Sequence, residues 1–201
     1  MTVRVLFTGG AGFIGSHLVD RLVEMGHYVR VLDTFSTGRV ENLAHHGGVE
    51  VVKGDLKSPA DAWEAVKGVE VVFHFAANPE VRVSTVSPKT HYEENVLATF
   101  NLLEAMRESG VRELVFASSS SVYGEPSVIP VSEDNIILTE LKPEVHYKPI
   151  LHGVSWPGDV KKVTLDIKKI GGLGFQPKLN STEAVRKTVQ HLVKELNLTF
   201  T

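Results

Sequence analysis

The chain has 201 residues, with 21 Lys plus Arg against 24 Asp plus Glu and a formal net charge of −3, so no overall basic field favours nucleic acid. A composition of 42% hydrophobic and 22% charged residues argues for a folded globular protein, one that buries roughly 70% of its unfolded surface in one large domain or two small ones. The absence of cysteine rules out disulfides, thiolate catalysis and thiolate-bound metal, and fits a reducing compartment. The apolar runs are strand-sized and the opening MTVRVLFTGG reads straight into a strand, so a soluble, cytoplasmic protein without a membrane span is expected.

Residues 3–8 (VRVLFT) are nearly all apolar, the mark of a strand covered on both faces of a parallel sheet. A helical period follows, with Ile14, Leu18, Leu22 and Met25 on one stripe and Gly26 as its stop. Further strands are expected at Tyr28–Asp33, Val49–Lys53, Val69–Phe75 and Arg112–Ala117, with a short helix around Trp63 and Val66. The longest helix should run from Tyr92 to Ser109, carry Val96, Phe100, Leu103 and Met106 on its apolar stripe, and end at Gly110. Strands alternating with helices at these lengths predict right-handed βαβ units on a doubly wound, Rossmann-like parallel sheet of at least five strands. After Glu125 the pattern breaks into Pro-punctuated pieces, with a candidate strand at Val145–Tyr147. One clear helix starts near Asn180, where Asn180 and Glu183 have capping-box spacing before Val185, Val189, Leu192 and Leu196. The expected division is a nucleotide-binding domain over 1–135 and a truncated C-terminal substrate lobe over 136–201.

Gly9, Gly12 and Gly15 stand in G-x-x-G-x-x-G spacing between the first strand and the first helix. Glycine is needed there for a tight turn, for backbone approach to a pyrophosphate, and for close packing of helix on strand. The phosphates would then lie at a helix N-terminus, where unpaired N–H groups and the dipole favour anions. Asp33 closes the second strand, where an acid accepts both adenosine ribose hydroxyls and repels a 2′-phosphate. The plainer reading of Asp33 is a turn residue opening the loop TFSTG. The cofactor implied is NAD rather than NADP, although Arg39, close by, has the charge to face a phosphate.

These motifs, with GDL at 54–56, HFAA at 74–77, the helix holding Asn95 and FASSSSVYG at 116–124, resemble the extended short-chain dehydrogenase/reductase family over about the first 135 residues. Within it they look most like the nucleotide-sugar epimerases of UDP-galactose 4-epimerase type. The resemblance implies that Phe13 and Ile14 donate backbone N–H groups to the pyrophosphate. It places Asp55 and Leu56 beside the adenine, and Phe75, Ala76 and Ala77 along the path to the nicotinamide ribose. Asn95 would order the active-site side of the central helix. The implied reaction interconverts UDP-glucose and UDP-galactose through a 4-keto sugar.

The family's catalytic set is a Ser or Thr, a Tyr and a Lys, and Ser119 matches the first of them. Tyr and Lys must lie one helical turn apart, in Y-x-x-x-K, so that both project from one face. The ammonium then lowers the pKa of the tyrosine that takes the substrate proton. Here Tyr28, Tyr92, Tyr123 and Tyr147 are followed four residues on by Leu32, Val96, Ser127 and Leu151. The segment from 156 to 189 resembles the usual C-terminus of the same enzymes, with Gly158 and Asp159 matching a nucleotide-contacting loop. The stretch that normally carries the Tyr–Lys helix is missing at a join around Asp134–Glu140. Impaired epimerisation is therefore expected, with a non-catalytic NAD-binding module as the alternative and a longer parent protein as a third reading. The family's dimer forms through the Asn95 helix and the missing one, so the case for a homodimer weakens with it.

Other candidates read as surface features. His45 and His46 lie in a Gly-flanked loop without the spacing of a metal site. Lys161, Lys162, Lys168 and Lys169 lack interleaved aromatics for nucleic acid. The Ser118–Ser121 run has no nucleophile elbow.

Overall fold

The computed structural model describes residues 2–44, 47–119 and 167–195. Five parallel strands form one sheet: β1 (Arg4–Thr8), β2 (Tyr28–Asp33), β3 (Val49–Lys53), β4 (Val71–His74) and β5 (Glu113–Phe116), in the spatial order β3-β2-β1-β4-β5. β1 is central, with Val5 opposite both Val29 and Val71, and Thr8 opposite both Leu32 and His74. The chain winds outward from β1 to β3, then crosses back to β4 and winds the other way. The carboxyl ends of β1 and β4 therefore flank a topological switch point, where open α/β sheets bind their ligands.

Period-2 alternation on the strands feeds two cores. On one face Leu6, Leu32 and Val72 pack with Ala62, Ala65 and Val66 of α2 (Pro59–Val66) and with Ala98, Leu102, Ala105 and Met106 of α5 (Ala98–Ser109). On the other, Phe7, Val29 and Val31 pack with Val19 of α1 (Phe13–Glu24) and with Leu43 of a 3-10 turn (Val40–Leu43). Cover on both faces is what the near-continuous apolar strands require. Phe7 stacks on Phe73 and Phe75, with ring centroids 5.5 and 5.0 Å apart.

Local chemistry sets the helix ends. The Ser58 hydroxyl accepts from Asp61 N–H at 3.3 Å, and Pro59 opens α2 without needing a donor. Gly110, at φ +74°, closes α5 in the left-handed conformation that glycine adopts freely. Between β4 and α5 the chain forms α3 (Val83–Val86), α4 (Pro88–His91) and a π-helical turn (Tyr92–Leu97) that runs on into α5. The first helices of this run and the 3-10 turn have no stripe for periodicity to find.

Two apolar stripes are corrected. On α1, Ile14 and Met25 are 62% and 58% exposed while Leu18 and Leu22 pack half-buried as expected, and the packing face runs through Gly15, Ser16 and the buried Val19, with Val23 half-buried. On the long helix, Val96, Phe100 and Leu103 are exposed, and the buried face is Ala98, Asn101, Leu102, Ala105 and Met106. Small residues win these faces because they let a helix axis approach the sheet closely.

The chain divides into two compact units, Met1–Ala117 and Ser118–Thr201. The boundary expected near residue 135 lies outside the described residues, as do Val145–Tyr147 and the join at Asp134–Glu140. In the second unit, α6 (Lys168–Gly171) precedes α7 (Ser181–Glu195). The capping box forms as read: Asn180 N–H donates to Glu183 Oε2 at 2.8 Å and Glu183 N–H to Asn180 Oδ1 at 2.9 Å.

Candidate functional site: the crevice at the ends of β1 and β4

The turn after β1 is built around atoms that leave no room for side chains. Gly9 has φ +71°, and a Cβ there would lie 2.7 Å from Ala76 N. A Cβ on Gly15 would lie 2.3 Å from Gly9 O, and one on Gly12 3.3 Å from the same oxygen. Gly12 N–H donates to Gly9 O at 3.2 Å and Gly12 O accepts from Ser16 N–H at 2.9 Å, which starts α1. No side chain caps that helix, and the side chains of Phe13 and Ile14 are exposed. The first turn of α1 thus has the uncapped N–H groups that favour anions at helix N-termini. The three glycines come together as the spacing predicts.

Asp33 does two things at the end of β2. Its Oδ2 accepts from Ala11 N–H at 3.0 Å, in the glycine turn, and its Oδ1 accepts from Phe35 N–H at 2.9 Å. The turn role is therefore real, and it holds Phe35 in the left-handed region at φ +59°. Each carboxylate oxygen keeps a further lone pair, so both remain able to accept a ribose hydroxyl. The loop folds back on the turn: Arg39 N–H and Asn42 Nδ2 both donate to Ala11 O, at 3.1 and 2.8 Å.

Beyond β3, Asp55 is pinned by its neighbours. Its N–H donates to Asp61 Oδ2 at 2.8 Å, and its Oδ1 accepts from Lys57 N–H at 2.9 Å. Lys57 Nζ lies 3.4 Å from Asp55 Oδ2 and 3.8 Å from Glu94 Oε1. Leu56 puts its side chain into the core. Asn101, buried on α5, donates to Leu56 O at 2.8 Å and Lys57 O at 3.1 Å and so fixes this loop. Its signal in the sequence is a lone amide on a packing face.

Beyond β4, Phe75, Ala76 and Ala77 run beside the glycine turn, with Phe75 N–H on Thr8 O at 3.0 Å. Asn95, in the π-helical turn, grips the next residue twice: its Oδ1 accepts from Asn78 N–H at 2.7 Å and its Nδ2 donates to Asn78 O at 3.1 Å. Asn78 Nδ2 in turn donates to Glu94 Oε2 at 2.7 Å. π-turns of this kind occur often at functional sites. The buried Thr8 and His74 and the half-buried Thr99 beneath this segment were not singled out by the sequence, where His74 is one polar residue in an apolar strand.

Ser119 follows β5 by three residues and belongs to the second compact unit. Tyr123, Gly158, Asp159 and the pair His45–His46 lie outside the described residues. Among the described residues no three His, Asp or Glu side chains are grouped as metal ligands, and no helix is long and apolar enough to cross a membrane.

A doubly wound parallel sheet with a glycine-turn cradle at its switch point, and an acid at the end of β2, defines a dinucleotide-binding protein. The model of the NAD dependent epimerase/dehydratase family matches residues 5–148, and the chain belongs to that family. A UDP-glucose 4-epimerase from Corynebacterium glutamicum is 40% identical over 132 residues, which are 66% of this chain and 40% of that protein. A crystal structure of a UDP-galactose 4-epimerase is 55% identical, with a TM-score of 0.54, over 63% of this chain and 41% of that one. The UDP-glucose 4-epimerase of Brucella ovis, solved in complex with NAD, is 27% identical, with a TM-score of 0.58, over 96% of this chain and 47% of that one. The chain thus spans about two fifths of the length of the first two of these relatives.

The cradle fits the family's cofactor. A Cβ at Gly9 or Gly15 would meet backbone atoms, and the carboxylate of Asp33 is held beside the turn by Ala11 N–H.

Proposed function

We propose that this chain binds NAD in the crevice at the ends of β1 and β4 and epimerises a UDP-sugar poorly or not at all. The observation that carries the cofactor half is the glycine turn clamped to Asp33 through Ala11 N–H at 3.0 Å. The pyrophosphate lies on the N–H groups of Phe13 and Ile14, and the ribose hydroxyls lie on Asp33. The loop carrying Asp55 and Leu56 flanks the adenine, and Phe75, Ala76, Ala77 and the Asn95-held backbone line the nicotinamide end. Bound NAD supplies a hydride acceptor to the chemistry of the family. Ser119 is assigned the hydrogen bond to the sugar hydroxyl and Asp159 a contact to the nucleotide; both assignments follow from the family resemblance.

The proton is what this chain handles badly. None of its four tyrosines has a lysine four residues on, the spacing that sets the family's ammonium one turn from its tyrosine. Loss of a positioned general base costs roughly 10²–10⁴-fold in rate. The same observation favours the second reading, a non-catalytic NAD-binding module. An assay with UDP-galactose and added NAD separates the two from a working epimerase. Conversion at rates typical of a competent enzyme, on the order of 10 per second, contradicts the proposal. NAD binding with conversion at least a hundredfold slower, roughly, supports it. The lack of cysteine accords with a cytoplasmic setting.

A further inference from the structure

Under the Phe75–Asn78 segment lies a chain of hydrogen bonds, buried at the His74 ring, whose direction can be derived. Thr99 Oγ1 lies 2.6 Å from Asn95 O, an atom that only accepts, so the hydroxyl donates there. With its one hydrogen used, the same hydroxyl must accept from His74 Nε2 at 2.9 Å. Nε2 therefore carries the ring proton, and Nδ1 is left as an acceptor for the Thr8 hydroxyl at 2.7 Å. Thr8 Oγ1 in turn accepts from Ala76 N–H at 3.3 Å. Every group from Ala76 N–H to Asn95 O is satisfied in one direction only.

The chain closes on the segment it supports. Thr8, on one side of the ring, holds Ala76; Asn95, reached through Thr99 on the other side, holds Asn78 by both N–H and C=O. His74 is 1% exposed and its ring stacks on Phe116 at 5.7 Å, so the imidazole itself is shielded from water. Burial also lowers its pKa to about 4, as expected of a ring held neutral.

We propose that neutral His74, with Thr8 and Thr99, is a positioning device that fixes the Phe75–Asn78 backbone for the nicotinamide half of the cofactor. The inference rests on the NAD reading above and deepens it. Thr99 reaches the site only through His74 and the carbonyl of Asn95 and is assigned no cofactor contact, so substitution there acts on the device. In the full chain, Thr99→Val removes the hydroxyl at nearly constant shape, and Thr99→Ser keeps it. Affinities are measured for NADH and for ADP, which lacks both the nicotinamide ring and its ribose. Thr99→Val should weaken NADH roughly tenfold, the scale of one buried hydrogen bond lost with its partner unsatisfied. ADP affinity should stay within about twofold, because its contacts lie at the glycine turn and Asp33. Thr99→Ser should restore NADH binding. Equal weakening of both ligands, or no weakening, overturns the inference while leaving the cofactor reading intact. A wild-type chain that binds neither ligand overturns the cofactor reading, and this inference with it. Should Thr99→Val not fold, the ring's two-bond ¹H–¹⁵N correlations in the wild-type chain decide. A protonated Nε2 with bare Nδ1 supports the device, and the opposite tautomer overturns it.

Discussion

At Gly15 one backbone atom decides what the site tolerates: Gly9 O would lie 2.3 Å from any added Cβ. Neither atom is the movable end of a side chain, so Gly15→Ala must push α1 away from β1. We expect a loss of about 1–3 kcal/mol, read as a lower urea midpoint at unchanged slope, with NAD affinity falling alongside. Asp33 presents a different constraint, since each of its two oxygens accepts one backbone N–H. An amide has one accepting oxygen, so Asp33→Asn turns an NH2 group toward either Ala11 N–H or Phe35 N–H. The cost should be about 1–3 kcal/mol for the orphaned donor. Loss of the negative charge should also narrow the preference for NAD over NADP, which paired titrations of the variant would show.

The long helix shows how much an element's packing depends on more than its own sequence. Apolar residues lie on both of its sides: Leu102 is fully buried, and Phe100, two residues away, is 58% exposed. Leu102→Ala should therefore cost about 2–5 kcal/mol, whereas Phe100→Ala should stay within about 0.5 kcal/mol. Denaturant curves on the two variants test which face meets the sheet. Periodicity predicts that this helix exists and where Gly110 ends it, yet it picks the larger apolar residues for the core. Ala98 and Ala105 take those places where α5 packs closely with Ala62, Ala65 and Val66 of α2, and closeness matters more there than side-chain volume. The glycine turn was legible for the opposite reason, since its spacing and flanking strand and helix are local. The hydrogen-bonded chain under the site was not, because Thr8 and His74 are 66 residues apart, and His74 and Thr99 are 25 apart. Only the sheet order makes them neighbours. Asn101 was hidden in the same way, 45 residues from the carbonyl of Leu56.

For the molecule as a whole, His74 links the site to acid stability. Its folded-state pKa is about 4 against an ordinary 6.5, because burial penalises the charged ring. Below pH 6.5 the unfolded chain takes up a proton that the folded chain refuses, so the contribution is fully present above 6.5 and is lost as pH falls toward 4. Integrated over that window it amounts to at most about 3 kcal/mol. Unfolding curves at pH 7 and pH 4.5 should show this loss in the wild-type chain and a shallower one in His74→Gln, which removes the titrating group. Exposed Tyr92, Val96, Phe100 and Leu103 lie along the same helical run. That stripe also makes association at high concentration an expected property of the isolated chain.

The central claim is that the glycine turn and Asp33 hold NAD. Calorimetric titration of the purified chain with NAD and, separately, NADP tests it most directly. The account predicts saturable binding of NAD and binding of NADP weaker by roughly tenfold or more, as the Asp33 carboxylate repels the 2′-phosphate. No heat at millimolar NAD, or tighter binding of NADP, would contradict it.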